Sequence, residues 1–305
     1  MRLYIVGVDR NARNFLNLVP LGIPTLIIAD DPQLITAARA AYSYWLAEAP
    51  VSKASIKLRL ETGKASPCAD VCLAITVEGS RLRLSGRGVD GMADASMLEA
   101  SAVVSPEVTA DGASFAEIAD TLLLFLLARS GRTPVHASAF MLGDLAVVLA
   151  GPSGSGKSTL ALAAAVRGFP VLSDDMIFVQ RDPSFVLWGF PRPIHVFPDD
   201  APSGEHPTRL RNGKLKAAVP LATAASRAER CALVVLDHGR ELAMRSAAPE
   251  EAIKPLLKLD SGFDLLQSES RVALEALASP GAWFLTLSDD PRAAIDLITR
   301  QLASP

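Results

Sequence analysis

Polar and apolar residues alternate in the first third of the chain. Ser55–Leu60 places apolar residues at every second position, as a half-buried strand does. Val71–Val77 is a second strand candidate, and Val77–Leu84 predicts a hairpin around Glu78-Gly79-Ser80. Thr25–Ala29 predicts one more strand, and Leu3–Val8 another. These patterns predict a mixed α/β region with a β-rich middle.

Longer apolar runs replace this alternation after Asp111-Gly112, where the composition shifts. Ser114-Phe-Ala-Glu117 matches a capping box and predicts the start of a hydrophobic helix. Further elements are predicted as strands at Leu145–Ala150, Pro170–Ser173, Cys231–Leu236 and Trp283–Leu287, an antiparallel pair at 176–180 and 185–188, helices at 158–166, 249–259, 268–278 and 290–302, and a long surface loop at 198–216. We therefore predict two domains: a smaller mixed α/β domain over 1–112, whose role is unassigned, and an α/β domain over 113–305.

One nine-residue segment carries the strongest chemical signal. Gly151-Pro-Ser-Gly-Ser-Gly-Lys157-Ser158-Thr159 fits the pattern G-x-x-x-x-G-K-[ST], between a predicted strand and a predicted helix. Glycines let successive N–H groups turn towards phosphate oxygens, and the helix start adds partial positive charge. The predicted nucleotide-binding residues are Gly151, Ser153, Gly154, Ser155, Gly156, Lys157, Ser158 and Thr159. Within this set, Lys157 is expected at the β- and γ-phosphates of ATP and Ser158 at Mg²⁺.

Two adjacent carboxylates follow the next predicted strand. Asp174 and Asp175 stand at its end, and that connection brings the strand end back beside the phosphate loop. Neighbouring carboxylates repel each other unless a cation joins them, which favours a metal. Phosphoryl transfer needs one acid to hold the metal and a base to orient the nucleophile, so the pair matches both requirements.

Several segments together resemble the HPr kinase/phosphorylase family, in its C-terminal catalytic domain. They are Pro134-Val-His136-Ala-Ser138-Ala, the phosphate loop, Arg167-Gly168 and Leu172-Ser-Asp174-Asp175. The resemblance covers about residues 115–240. It implies a P-loop kinase domain of the HPr kinase/PEP carboxykinase type that phosphorylates serine in a protein or peptide. It further implies Asp174 as general base, Asp175 towards Mg²⁺, and His136 near the transferred phosphoryl group.

The chain departs from the bifunctional members of that family after the Asp pair. Gly189-Phe-Pro-Arg-Pro-Ile-His195 stands where those enzymes carry a Glu-Ile-Arg-Gly type of signature. The segment looks more like stand-alone relatives of HPr kinase, some of which accompany lasso-peptide and other ribosomal-peptide clusters. That resemblance implies a kinase acting on the C-terminal serine of a precursor peptide.

Two basic features have alternative interpretations. Arg192 lies in a proline-stiffened turn that suits an arginine directed at phosphate, or it is a solvent-facing residue of a strand-terminating turn. Arg209, Arg211, Lys214 and Lys216 form a cluster that suits phosphates, an acidic peptide or simply solvent. Asp237 ends an apolar strand and imitates a metal-binding acid, a role that the Asp pair already takes.

Two other classes of protein remain open alternatives. One is a kinase/phosphorylase acting on HPr itself, and the other is a non-catalytic nucleotide-binding regulatory module. A carboxykinase is disfavoured because it needs a longer chain with additional His and Lys metal ligands.

Charge and composition narrow the partners. The chain has 305 residues, half of them hydrophobic, and a formal net charge of −3. The chain has no overall positive charge that would attract nucleic acid, and no apolar run is long enough to cross a membrane, so neither is expected as a partner. The three cysteines form no C-x-x-C pair and no signal-peptide pattern is present, so a cytoplasmic protein is expected. A homo-oligomer stays open.

Overall fold

The computed structural model describes residues 14–50, 53–65, 73–211, 213–221, 223–258 and 267–303. The chain divides into two compact units, Met1–Ser130 and Gly131–Pro305. The predicted strand Leu3–Val8 lies outside the described residues. No helix within the described ranges is long and apolar enough to span a bilayer.

The first unit is built on a seven-stranded sheet with the order β1-β2-β3-β7-β6-β5-β4. Strands β2, β3 and β7 run parallel, whereas the remaining neighbours are antiparallel. The elements are β1 (Phe15–Leu18), β2 (Thr25–Ala29), α1 (Pro32–Ala41), β3 (Ile56–Thr62), β4 (Ala74–Glu78), β5 (Arg81–Gly86), β6 (Val89–Asp94), β7 (Glu99–Val104), α2 (Pro106–Ala110) and α3 (Gly112–Arg129). The predicted hairpin is confirmed as β4–β5.

Helix α3 belongs to the first unit. It packs on α1, α2 and strands β6 and β7, and its buried side chains include Phe115 and Leu122. The boundary between the two compact units therefore falls after α3. The sequence predicted a domain boundary before this helix, between residues 112 and 113. The helix begins one turn earlier than the capping box predicted, because the Asp111 carboxylate accepts the N–H of Ala113 and caps the helix in place of Ser114.

The second unit contains three sheets. Their orders are β11-β9-β10-β18-β20-β19, β17-β13-β12-β8 and β14-β16-β15. The elements are β8 (Thr133–Val135), β9 (Ala137–Leu142), β10 (Leu145–Ala150), α4 (Lys157–Val166), β11 (Val171–Ser173), β12 (Ile177–Gln180), β13 (Val186–Trp188), β14 (Ile194–Val196), β15 (Thr208–Arg211), β16 (Lys214–Val219), β17 (Arg227–Ala228), β18 (Arg230–His238), β19 (Ala243–Ala247), α5 (Pro249–Leu256), α6 (Gln267–Ala278), β20 (Ala282–Leu287) and α7 (Pro291–Leu302).

Both faces of the six-stranded sheet are buried. Side chains of α4, α7 and β14 pack on one face, and those of α5 and α6 pack on the other. The central strand β10 is flanked by β9, which is antiparallel, and by β18, which is parallel. Since neither face meets water, Ala146–Ala150 is apolar without interruption, as the sequence predicted for this strand.

Helix α4 is fixed at both ends. It begins at Lys157, directly after the glycine-rich loop. At its other end the Arg167 guanidinium pairs with the Asp296 carboxylate of α7, and Gly168 follows in the left-handed conformation. The helix therefore starts at the phosphate loop and is joined to α7 at its other end.

The region predicted as a surface loop, 198–216, contains a β-hairpin. Strands β15 and β16 pair antiparallel, and β16 also pairs with β14. The prediction was wrong because the charged residues hid the alternation of Arg-Leu-Arg before Asn-Gly and of Lys-Leu-Lys after it. An Asn-Gly pair between alternating segments is a strong hairpin signal.

Candidate phosphate-binding and catalytic site

The glycine-rich loop connects the end of β10 to the start of α4. Gly154 and Gly156 adopt φ angles of 84° and 93°, which side-chain-bearing residues rarely adopt. A Cβ on Gly156 would stand 3.0 Å from Leu287 Cδ1, and a Cβ on Gly151 would stand 2.7 Å from Ser155 Oγ. The loop is therefore a close-fitting backbone turn at a helix N-terminus, the geometry that suits a bound phosphate.

Lys157 is buried at the first position of α4. Its Nζ donates to the carbonyl of Gly151 at 2.8 Å and to that of Pro152 at 3.0 Å. Burial lowers the pKa of this ammonium, while the carboxylates of Asp175 and Asp174 favour its charged form. A buried cation that two carboxylates face from the next strand end is equipped to balance a polyphosphate.

Ser155 supplies a buried hydroxyl inside the loop. It is 3% exposed, and its Oγ has no hydrogen-bond partner among the described residues. Burying a hydroxyl without a partner costs about 1–3 kcal/mol. Ser153 is exposed, whereas Ser158 and Thr159 are half-buried at the helix start. The orphaned hydroxyl is the feature that a phosphate oxygen in this cradle would satisfy.

Asp174 directly follows β11 and carries a buried carboxylate, 5% exposed. Its Oδ2 accepts the backbone N–H of His195 at 2.9 Å. The hydroxyl of Ser138 on β9 donates to the backbone carbonyl of Asp174 and lies 3.5 Å from its Oδ1. These contacts fix the carboxylate in one orientation, which is what a group that aligns a nucleophile requires.

Asp175 and His136 form the exposed side of the site. His136 Nδ1 lies 3.3 Å from Asp175 Oδ1 and 3.0 Å from the backbone oxygen of the same residue. His136 directly precedes β9, in which Ala137 is paired with Ala150 of β10. This register places His136 level with the first residue of the phosphate loop. Both side chains remain partly accessible, at 38% and 53%.

Arg192 is positioned by its own turn. Its guanidinium carbon lies 4.3 Å from the ring centroid of Phe190, and its backbone N–H donates to the carbonyl of Phe190 at 2.8 Å. That carbonyl also accepts from the hydroxyl of Ser173, the residue before Asp174. Arg192 is thus connected through Phe190 to the strand that carries the Asp pair.

Three groups of the site were not assigned a role from the sequence. They are the Ser138 hydroxyl and the backbone N–H of His195, which both donate to Asp174, and the hydroxyl of Ser173, the residue before Asp174, which donates to the carbonyls of Met176 and Phe190. The two serines are polar residues inside buried strands, and that interruption of an apolar run is the signal that identifies them. A backbone donor has no sequence signal, since every residue but proline carries one.

The other acidic turns have local structural roles. Asp290 caps α7, and Asp31 caps α1. Asp237 accepts the N–H of His238 at 2.8 Å and is exposed. Asp237 stands near the end of β18, as a metal-binding acid would. The carboxylates that favour the charged form of Lys157 are nevertheless those of Asp174 and Asp175.

The donor groups suit a hard cation that is also held by phosphate. No group of three or more His, Cys, Asp and Glu side chains in the described ranges forms a metal site by itself. Mg²⁺ is commonly bound by one or two carboxylates together with substrate phosphates and water. The Asp175 carboxylate and the Ser158 hydroxyl are oxygen donors of that kind.

Comparison with known proteins gives a limited result. No protein-family model matches the chain, and no curated protein matches it. Among solved structures it is similar to the HPr(Ser) kinase/phosphatase from Coxiella burnetii, with 14% sequence identity and a TM-score of 0.32. That alignment covers 56% of this chain and 95% of the other.

Proposed function

We propose that the second unit is an ATP-dependent serine kinase with a phosphate-loop fold of the HPr kinase type. The observation that supports it is the juxtaposition of a buried Lys157 at a glycine-rich helix start with the buried carboxylate of Asp174. A positioned cation, a backbone cradle and an oriented carboxylate are the parts that phosphoryl transfer needs from a protein.

The nucleotide is held by residues of the loop. The backbone N–H groups of 153–158 and the Lys157 ammonium bind the β- and γ-phosphates of ATP, and the Ser155 hydroxyl donates to a phosphate oxygen. Ser158 and Asp175 would hold Mg²⁺, which neutralises charge on the phosphates when bound. Desolvation strengthens the lysine contact, because a buried charge acts through a lower dielectric than an exposed one.

The acceptor hydroxyl is activated by Asp174. This carboxylate accepts the proton of the serine hydroxyl as the serine oxygen bonds to the γ-phosphorus. The bond between that phosphorus and the bridging oxygen breaks, and ADP leaves with the electron pair. His136 and Arg192 lie near the transferred group and stabilise its charge in the transition state.

The acceptor is a peptide or small protein. The resemblance of the His-Ala-Ser, Asp-Asp and Pro-Arg-Pro segments to stand-alone relatives of HPr kinase favours the C-terminal serine of a lasso-type precursor peptide.

The test follows the fate of the γ-phosphate. The purified chain is incubated with Mg²⁺, γ-labelled ATP and serine-containing peptides, and label is measured in peptide, in free phosphate and in unreacted nucleotide. Transfer to peptide serine is expected. Label only in free phosphate would indicate an ATPase. Nucleotide binding without turnover would indicate a regulatory module.

A second measurement separates peptide kinases from bifunctional kinase/phosphorylases. The chain is given a serine phosphopeptide and inorganic phosphate, and pyrophosphate is assayed. We expect little product, because phosphorolysis requires a second anion site and the chain lacks the Glu-Ile-Arg-Gly type of segment. Efficient pyrophosphate formation would reverse this assignment in favour of the bifunctional class.

A further inference from the structure

The hairpin formed by β15 and β16 has two chemically different faces. Arg209 is paired with Lys216, and Leu210 is paired with Leu215. Since side chains alternate along a strand, the paired residues share a face, and Lys214 lies on the same face as Lys216. One face is therefore basic, and the other carries two leucines that are 75% and 50% exposed.

The basic face packs beside Phe197. The Nζ of Lys216 lies 3.3 Å from the centroid of the Phe197 ring, and that of Lys214 lies 6.0 Å from it. Phe197 is 45% exposed. A partly exposed aromatic ring beside two ammonium groups makes a contact surface that is both apolar and cationic.

The hairpin is connected to the Asp174 carboxylate through β14. Strand β16 pairs with β14, and Ala218 lies opposite His195, whose N–H donates to Asp174. Lys216 is two residues from Ala218 on the same face of β16. Burial and the neighbouring Lys214 lower the pKa of Lys216, whereas the carboxylates of Asp200 and Asp174 favour its charged form.

The positive charge of this face is not balanced by ion pairs. Within the described ranges no carboxylate lies within salt-bridge distance of Arg209, Lys214 or Lys216. Like charges held close together repel, so the arrangement is improved by an anionic partner. Complementary charge therefore indicates an acidic ligand.

The position of the hairpin favours the acceptor peptide over the nucleotide as its ligand. The phosphate loop already supplies Lys157 to the phosphates, and that ammonium is held by carbonyls of its own loop. The hairpin is instead joined, through β14, to the carboxylate that orients the acceptor hydroxyl. An acidic segment bound here would bring an adjacent serine to Asp174.

We propose that Phe197 and the basic face of the β15–β16 hairpin bind an acidic segment of the acceptor, beside its serine. This proposal rests on the proposed function and specifies its substrate class. The acidic side chains pair with Lys214, Lys216 and Arg209, and an apolar side chain of the same segment packs on the Phe197 ring.

The test measures peptide binding without transfer. Two fluorescent peptide pools of equal length carry one serine each, flanked by glutamate in one pool and by glutamine in the other, with all other positions randomised identically. Affinity is measured by anisotropy for the wild type, for Lys214→Gln/Lys216→Gln and for the control Lys254→Gln/Lys258→Gln. The control removes the same charge from exposed positions at α5.

The expected result is preferential binding of the glutamate pool to the wild type and the control. The hairpin variant should bind the glutamate pool about tenfold more weakly and discriminate the pools poorly, because it lacks two of the charges that pair with the acidic side chains. Lys214→Arg/Lys216→Arg should restore most of it. MgATP affinity, measured with a fluorescent nucleotide, should stay unchanged in the hairpin variant.

Two results would overturn the proposal. Equal affinity of the wild type for both pools, including no measurable binding of either, would exclude an acidic acceptor at this face. A hairpin variant that weakens MgATP instead of peptide would make the face a nucleotide clamp. Neither readout needs phosphoryl transfer, so failure of the kinase assignment is detected separately in the label assay.

Discussion

Buried polar side chains are distributed unevenly between the two units. In the described part of the first unit, Thr25 is the fully buried polar residue, and its hydroxyl donates to a nearby carbonyl at 3.1 Å. The second unit buries Thr133, Ser138, Ser155, Lys157, Ser173, Asp174 and Gln180. Five of them, Ser138, Ser155, Lys157, Ser173 and Asp174, lie in or beside the phosphate loop and the end of β11. Because burying such groups costs free energy, their grouping supports the site proposed above.

The largest effect is expected at the buried lysine. Lys157→Ala removes the ammonium that would balance the β- and γ-phosphates, so kcat/KM for transfer to peptide should fall by about a hundredfold to a thousandfold. Label transfer from γ-labelled ATP measures it. Lys254→Ala, at an exposed position of α5, should transfer normally. Near-normal turnover by Lys157→Ala would show that this loop is not the catalytic cradle.

The Asp pair should divide its functions according to burial. Asp174→Asn keeps the size and the acceptor for the His195 N–H but removes the base, so transfer should slow about a hundredfold with nearly normal MgATP affinity. Asp175→Asn should instead require more Mg²⁺ to reach its maximal rate. Titration of Mg²⁺ against both variants measures the difference. An identical metal requirement in the two would contradict the separate roles.

A glycine comparison tests the loop without touching a charge. Gly156→Ala forces a φ of 93° on a residue with a Cβ that meets Leu287, which should destabilise the second unit by about 1–2 kcal/mol and weaken nucleotide binding. Gly143→Ala is the control, since Gly143 has a φ of 64° and open space around its Cβ. It should lose about 1 kcal/mol and keep its nucleotide affinity.

Thermal unfolding and a fluorescent nucleotide give both readouts. Equal nucleotide affinity in the two glycine variants would mean that the conformation at Gly156 does not shape the binding site.

The smallest effect is expected from the removal of a buried hydroxyl without a hydrogen-bond partner, of which one in each unit is compared. Ser155 Oγ and Thr62 Oγ1 are buried and have no partner among the described residues. Ser155→Ala and Thr62→Val should each raise the free energy of unfolding by up to about 1 kcal/mol, since each removes an unsatisfied polar atom. Only Ser155→Ala should also weaken nucleotide binding. If neither variant loses nucleotide affinity, the Ser155 hydroxyl takes no part in phosphate binding.

The sequence predicted the second unit better than the first. Strands β10 and β18 were predicted because a continuous apolar run indicates a strand that is covered on both faces of its sheet. Helix α4 was predicted because its segment is rich in alanine and leucine, which favour helices. Strands β6 and β7 were missed, since Gly91 and several alanines interrupt the alternation that marks a strand. The helix boundary at Asp111 was misplaced because two acceptable caps lie three residues apart.

The charged residues of the site were predicted from the sequence, but the hydrogen-bond donors that position them were not. Lys157, Asp174, Asp175 and His136 are brought together, although their roles in catalysis remain predictions. The position of Asp174 depends on Ser138 and on the backbone of His195, which are 36 and 21 residues away along the chain. The Ser138 contact follows from the pairing of β9 with β11, and the His195 contact from the placement of β14, a strand of another sheet, beside the end of β11. Which distant segments come together in this way is not visible in a local sequence pattern.

The hydrogen bond from His195 to Asp174 has a consequence for the evolution of specificity. Because the donor is a main-chain group, it survives any replacement of that side chain except proline. The hairpin next to it, β15–β16, is likewise joined to β14 by backbone pairing. The hairpin side chains can therefore be varied while the His195 N–H still holds the Asp174 carboxylate, and under the proposed function a library of hairpin sequences would vary the peptide that the protein selects.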